Sequence, residues 1–208
     1  MRLLNTFTGQ FEWIEDPAKV RYAILSHTWS SKGEQSYQDV LKLQEAAQVR
    51  TIGVATTSIR AEAHPVSDSS AISSKIKSVC KTACNRDYHF IWIDSCCIDK
   101  ASSAELSEAI NSMFLWYTLA DVCFVYLEDV PPSPDGPQTG EGSVFWRSRW
   151  HTRGWMLQEL IAPAYIWHIT AIGSKTELAS ALAERTSIDA PVLIHMVPLH
   201  RASVTDRM

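Results

Sequence analysis

Three short runs of consecutive apolar residues constrain this chain most: Tyr22-Ala23-Ile24-Leu25-Ser26, His89-Phe90-Ile91-Trp92-Ile93-Asp94 and Val122-Cys123-Phe124-Val125-Tyr126-Leu127. Each is too short for a helix and lacks the alternation of a strand with one wet face, so each predicts a strand covered on both sides. Between the runs the apolar period changes. Ile72, Ile76, Val79, Cys80 and Ala83 share one helical face and predict a helix over 71–85. Leu106, Ile110, Met113, Phe114 and Tyr117 predict another, entered at the capping-box pair Ser102 and Glu105 and running to about Ala120. Weaker patterns predict helices over 35–48, 155–160 and 175–185 and a fourth strand over 164–169, and the residues after 188 show no clear period. Strands separated by helices pair in parallel, because a parallel partner is reached only by a long crossover. The expected fold class is therefore α/β, a mainly parallel sheet flanked by helices on both faces.

The 208 residues, 46% hydrophobic and 20% charged, can bury a full core, which predicts one globular domain over 1–208. The Ser-, Thr- and Ala-rich stretch 51–70, with Pro65, predicts a loop insertion, and the segment from Pro131 to Pro137 can continue neither strand nor helix. The ending Ala202-Ser203-Val204-Thr205-Asp206-Arg207-Met208 is expected to run on in a longer chain. No uncharged apolar run reaches about 18 residues, so no membrane span is expected. Polar residues follow Met1-Arg2-Leu3-Leu4 at once, so no signal peptide is expected either, and the protein is expected to be soluble and cytoplasmic. A net charge of −4, from 19 basic and 23 acidic residues without a basic run, argues against a nucleic-acid partner. The cysteines at 80, 84, 96, 97 and 123 are odd in number and lie in apolar contexts, which predicts reduced, buried thiols. Without a CxxC pair or a nearby HxxxH, no metal is expected.

Open parallel sheets bind ligands at the carboxyl ends of their strands. Here Ser26, His27 and Trp29 follow the first run, and Asp94, Ser95, Cys96, Cys97 and Asp99 follow the second, so the polar groups gather on one rim.

Tyr22-Ala23-Ile24-Leu25-Ser26-His27-Thr28-Trp29, Ile91-Trp92-Ile93-Asp94-Ser95-Cys96-Cys97-Ile98-Asp99-Lys100 and Arg153-Gly154-Trp155-Met156-Leu157-Gln158-Glu159-Leu160 resemble the three signature blocks of fungal heterokaryon-incompatibility (HET) domains, in that family's usual order, over about residues 20–189. Met156 stands where the family commonly has Thr. A second resemblance, to TIR signalling domains, rests on their W-C-x-x-E-L helix: Trp155, Glu159 and Leu160 keep its spacing while Met156 replaces the Cys. These resemblances imply a flavodoxin-like or TIR-like three-layer sandwich and a role in programmed cell death akin to innate immunity. In enzymatic TIR domains the matching glutamate cleaves NAD between nicotinamide and ribose, which attaches that role to Glu159. Nicotinamide leaves as a neutral molecule, so one carboxylate that stabilises an oxocarbenium-like ribose suffices without a paired acid. Asp94 is the second catalytic candidate, holding ribose hydroxyls or positioning water. Trp29 or Trp155 would stack on a flat ring, Arg153 would meet a phosphate with its fork, and Ser26 and His27 complete the substrate-binding set. NAD enters as a substrate, and no cofactor is expected.

Plainer readings stand beside these. Glu159 fits a solvated acid in a first helical turn, and Trp155 reads first as a core residue. His27 fits a side chain bonded to a backbone carbonyl at its strand end, and Asp94 a cap on the following turn. Cys96 or Cys97 with His27 or His151 would make a thiol nucleophile, although neither order nor context shows such a pair meeting. Two function classes follow: an NAD-cleaving effector whose site is completed by assembly, and a non-catalytic interaction domain. The expected partners are copies of the chain itself or other HET or TIR-like signalling proteins.

Overall fold

A computed structural model describes residues 1–52, 71–131, 138–169 and 173–198. The insertion expected over 51–70 lies outside them beyond Ile52, as do residues 132–137 of the proline-rich loop and the terminal residues 199–208. The chain divides into two compact units, one of Met1–Leu25 with Trp29–Trp116, the other of Ser26–Thr28 with Tyr117–Met208.

In the first unit, strands β1 (Arg2–Asn5) and β2 (Phe11–Trp13) form an antiparallel hairpin. Asn5 closes it: its side-chain oxygen accepts from the amides of Phe7 and Thr8 at 3.0 Å each, and Gly9 takes a φ of 68°, which glycine adopts without steric cost. Strand β1 also runs antiparallel to β4 (Phe90–Trp92), which pairs in parallel with β3 (Ala23–His27). The helices are α1 (Tyr37–Ile52), α2 (Ser74–Cys84) and α3 (Ser103–Leu119), the last continuing past Trp116 into the second unit. Ser73 caps α2 by accepting from the Ile76 amide at 3.3 Å, and the predicted stripe of Ile76, Val79, Cys80 and Ala83 is buried.

The second unit holds β5 (Val122–Tyr126) and β6 (Ile166–His168), paired in parallel, and the two-residue β7 (Gly173–Ser174), antiparallel to β6. Its helices are α4 (Met156–Ile161), α5 (Ala179–Thr186) and α6 (Ala190–Leu193), preceded by a single 3-10 turn over Arg149–Thr152. The fold is thus α/β as expected, but its pairing is mixed rather than mainly parallel. The antiparallel contributions come from a hairpin at the amino end and a two-residue strand late in the chain, both too short to leave a period.

Ile24, Ile91, Ile93, Phe124 and Val125 are all buried, in agreement with strands covered on both sides. Tyr22 donates its hydroxyl to the Trp116 carbonyl at 2.6 Å, and Trp92 meets Trp116 edge-on at 5.6 Å. One expectation fails on α3. Met113 is buried, but Ile110 and Phe114 are 45% and 46% exposed; the buried residues of the helix are instead Ala109, Met113, Trp116 and Tyr117. The apolar arc of the helix is wider than the face that packs, and Ile110 and Phe114 lie at its edge, so periodicity alone does not separate them from the inner face. The capping box is also half realised. Ser102 accepts from the Glu105 amide at 3.3 Å, while Glu105 turns away from the Ser102 amide to take both guanidinium arms of Arg2, at 2.5 and 3.1 Å, and the Asp99 amide at 2.9 Å.

Ile91→Ala is expected to lower stability by about 2–5 kcal/mol through lost burial and a residual cavity. Ile110→Ser should stay within about 0.5 kcal/mol. Urea unfolding of the two variants checks the corrected face of α3.

Candidate active site

Four side chains in the second unit form one hydrogen-bonded chain. The 3-10 turn of Arg149–Thr152 is capped by Ser148, whose hydroxyl accepts from the Trp150 amide at 3.3 Å and donates to Asp129 at 2.7 Å. That cap fixes Trp150, which is fully buried and donates its indole N–H to the Ser26 hydroxyl at 2.7 Å. Ser26 in turn donates to Glu159 Oε2 at 2.5 Å. Arg153, which ends the 3-10 turn, closes the set with a two-armed contact: Nη1 to Oε2 at 2.6 Å and Nη2 to Oε1 at 3.0 Å.

The Glu159 side chain is only 3% exposed and that of Arg153 18%. The solvated reading of Glu159 is therefore wrong. A carboxylate so far from water needs an opposite charge and donors for its lone pairs, and the fork of Arg153 with the hydroxyl of Ser26 supplies both. The surroundings are equally dry. Burial pushes the thiol of Cys123 well up, and the nearby Glu159 charge adds to this. Burial pulls Lys175 down to about 8, with its ammonium donating to the Pro163 carbonyl at 2.9 Å. His151 and His168 are both held near 4, chiefly by burial, in an aromatic cluster where Phe145 and Trp150 each meet both rings edge-on.

Three predicted site residues, Ser26, Arg153 and Glu159, are thus brought together. His27 is buried at the end of β3, next to Ser26 in the chain. Trp155 is 49% exposed just before α4, so its core reading is overturned. The missed member is Trp150. Its position two residues after the capping Ser148 is visible in the sequence, but its partner Ser26 lies 124 residues away and leaves no local trace.

In the first unit the structure joins two other predicted residues. Trp29, 47% exposed, donates its indole N–H to Asp94 Oδ2 at 3.0 Å, and the ammonium of Lys100 lies 3.7 Å from the centre of the Trp29 ring. Cys96 and Cys97 are buried beneath the turn that follows β4; Cys97 Sγ accepts from the Ile93 amide at 3.3 Å. The Cys96 thiol is raised well above its usual value by its contact with Cys97 and by burial, which opposes the thiolate a nucleophile needs. Among the described residues no three His, Cys, Asp or Glu side chains are grouped as metal ligands, and no helix is long and apolar enough to cross a membrane.

Residues 22–143 match the family described as heterokaryon incompatibility protein (HET), which takes in the first two signature blocks. The chain belongs to that family. It is also similar to the vegetative incompatibility protein HET-E-1 of Podospora anserina, with 37% identity over 195 residues. That alignment covers 90% of this chain and so extends over the third block as well. The chain spans only 13% of the length of that relative. No solved structure matches.

Arg153→Ala leaves the Glu159 carboxylate buried without its counter-ion and is expected to cost about 3–5 kcal/mol, measured by chemical unfolding. The two depressed histidines give a pH signature. Their folded values near 4 lie below the ordinary 6.5, so the unfolded chain takes up protons first as pH falls. Stability should therefore be full above about pH 6.5 and decline toward pH 4, by at most about 1.4 kcal/mol per pH unit for each histidine, in unfolding midpoints taken across that range.

Proposed function

We propose that this HET domain is the death-signalling part of an incompatibility protein and acts by hydrolysing NAD at the bond between nicotinamide and ribose, with Glu159 as the catalytic carboxylate. The observation that carries the reading is the preorganisation of Glu159: a dehydrated anion held by Ser26 and Arg153, with Trp150 fixing Ser26 from behind. An anion already stripped of water and fixed in direction stabilises a developing cation without reorganising at the moment of reaction. Nicotinamide departs with the electron pair of the bond to ribose, water adds to the ribosyl cation, and one proton is released. The alignment of Glu159 with the glutamate of the TIR helix and a TIR-like, three-layer arrangement belong to the same proposal. So do the relation to innate immunity and activation by self-association.

One observation favours the second reading, a non-catalytic recruiting domain. Both carboxylate oxygens are engaged by Arg153, a cation sitting where the ribosyl cation would need to be. Catalysis then requires Arg153 to turn outward, which its partial exposure allows.

Clustered wild-type protein should release nicotinamide from NAD, and Glu159→Gln should lower the rate by about 10²–10³ or more while the thermal melt confirms a folded chain. Turnover that is absent from clustered wild type, with cell death in a fungal host persisting in Glu159→Gln, would replace the enzyme with the recruiting domain.

A further inference from the structure

Trp29, Asp94 and Lys100 meet on two loops that leave the carboxyl ends of the adjacent parallel strands β3 and β4. Both loops are anchored by other residues. In the loop after β3, Glu34 accepts from the Ser30 amide at 2.8 Å and forms a buried ion pair with Lys75 of α2. Gln35 grips the Ala71 carbonyl at 2.8 Å and the Ser73 amide at 2.7 Å. In the loop after β4, the Cys97 amide donates to the Ile93 carbonyl at 2.7 Å, and Glu105 and Gln38 hold Asp99. Between these anchors the two loops bring together a half-exposed indole, the half-buried carboxylate of Asp94 and the exposed ammonium of Lys100.

That arrangement is unusual for side chains with only a packing role. A large aromatic ring stays half exposed, yet its edge is fixed by Asp94, so the ring is a rigid plate. Lys100 covers part of that plate while, among the described residues, no hydrogen bond and no ion pair ties its ammonium to an acceptor. Contact with a ring face leaves N–H donors of an ammonium available. Partial burial lowers the pKa of Lys100, and the nearby charge of Asp94 opposes the shift.

We propose that Trp29, Asp94 and Lys100 form a nucleotide-binding site in the first unit, with Lys100 as its phosphate-recognising residue. The three groups correspond to the three parts of such a ligand. A flat heterocycle stacks on Trp29, sugar hydroxyls donate to Asp94, and a phosphate takes the ammonium of Lys100. A purely anionic ligand would not need the carboxylate, and an uncharged ring would not need the ammonium. The choice of ADP-ribose as a probe rests on the NAD reading above.

The test is titration calorimetry of the whole chain with ADP-ribose and, separately, with adenosine. Lys100→Ala should weaken ADP-ribose by about tenfold, the scale of one lost charge-assisted hydrogen bond, and leave adenosine unchanged. Lys100→Arg should retain most of the affinity, and Trp29→Ala should weaken both ligands. Equal affinity of wild type and Lys100→Ala for ADP-ribose overturns the proposal, as does the absence of nucleotide binding to wild type. The two readings separate cleanly. Lys100-dependent binding without nicotinamide release leaves this site standing and removes the enzyme, whereas nicotinamide release by a protein whose ADP-ribose affinity is unaltered by Lys100→Ala leaves the enzyme and removes this site.

Discussion

The carboxylate of Glu159 is the constraint on which the second unit depends. An isolated buried anion would cost far more than a domain's whole margin of stability, so everything around Glu159 is arranged to compensate it. Arg153 supplies charge, Ser26 a proton, and Trp150 holds Ser26 so that its hydroxyl can point only one way. The elements that provide these groups follow from the same requirement. The 3-10 turn sets Trp150 and Arg153 three residues apart, and the end of β3 delivers Ser26.

The first unit solves a different problem. Its polar residues after β3 and β4 split into those that hold the loops and those that do not. Ion pairs such as the buried Glu34 with Lys75 and the half-buried Glu105 with Arg2 keep the backbone in place. Loops fixed on their inner side can present exposed chemistry with little cost in conformational entropy on binding, since the ordering has already occurred during folding.

How far the sequence could be read depended on whether an element keeps a period long enough to register. The buried strands β3, β4 and β5 show as continuous apolar runs, and α2 shows its inner stripe, because in each case burial covers consecutive or evenly spaced residues. The hairpin of β1 and β2 spans too few residues to show alternation, and its existence rests on the Asn5 turn. On α3 the apolar stripe is wider than the face that is buried, so Ile110 and Phe114, at its edge, look like core residues although the helix turns them outward. The grouping of Ser26, Arg153 and Glu159 was legible through the signature blocks. The sealed state of Glu159 was not, because its depth is set by Trp150 and Ser26, residues joined only by the folded chain.

The brevity of α4 has a further consequence. Six residues, Met156–Ile161, cannot sustain a helix in water, since nucleation fixes more dihedral angles than so few hydrogen bonds can offset. The helix is therefore kept by its tertiary contacts, among them the grip of Ser26 and Arg153 on Glu159. The order of that turn is borrowed from its surroundings, with buried Met156 and Leu160 holding the backbone while Ser26 and Arg153 hold the carboxylate.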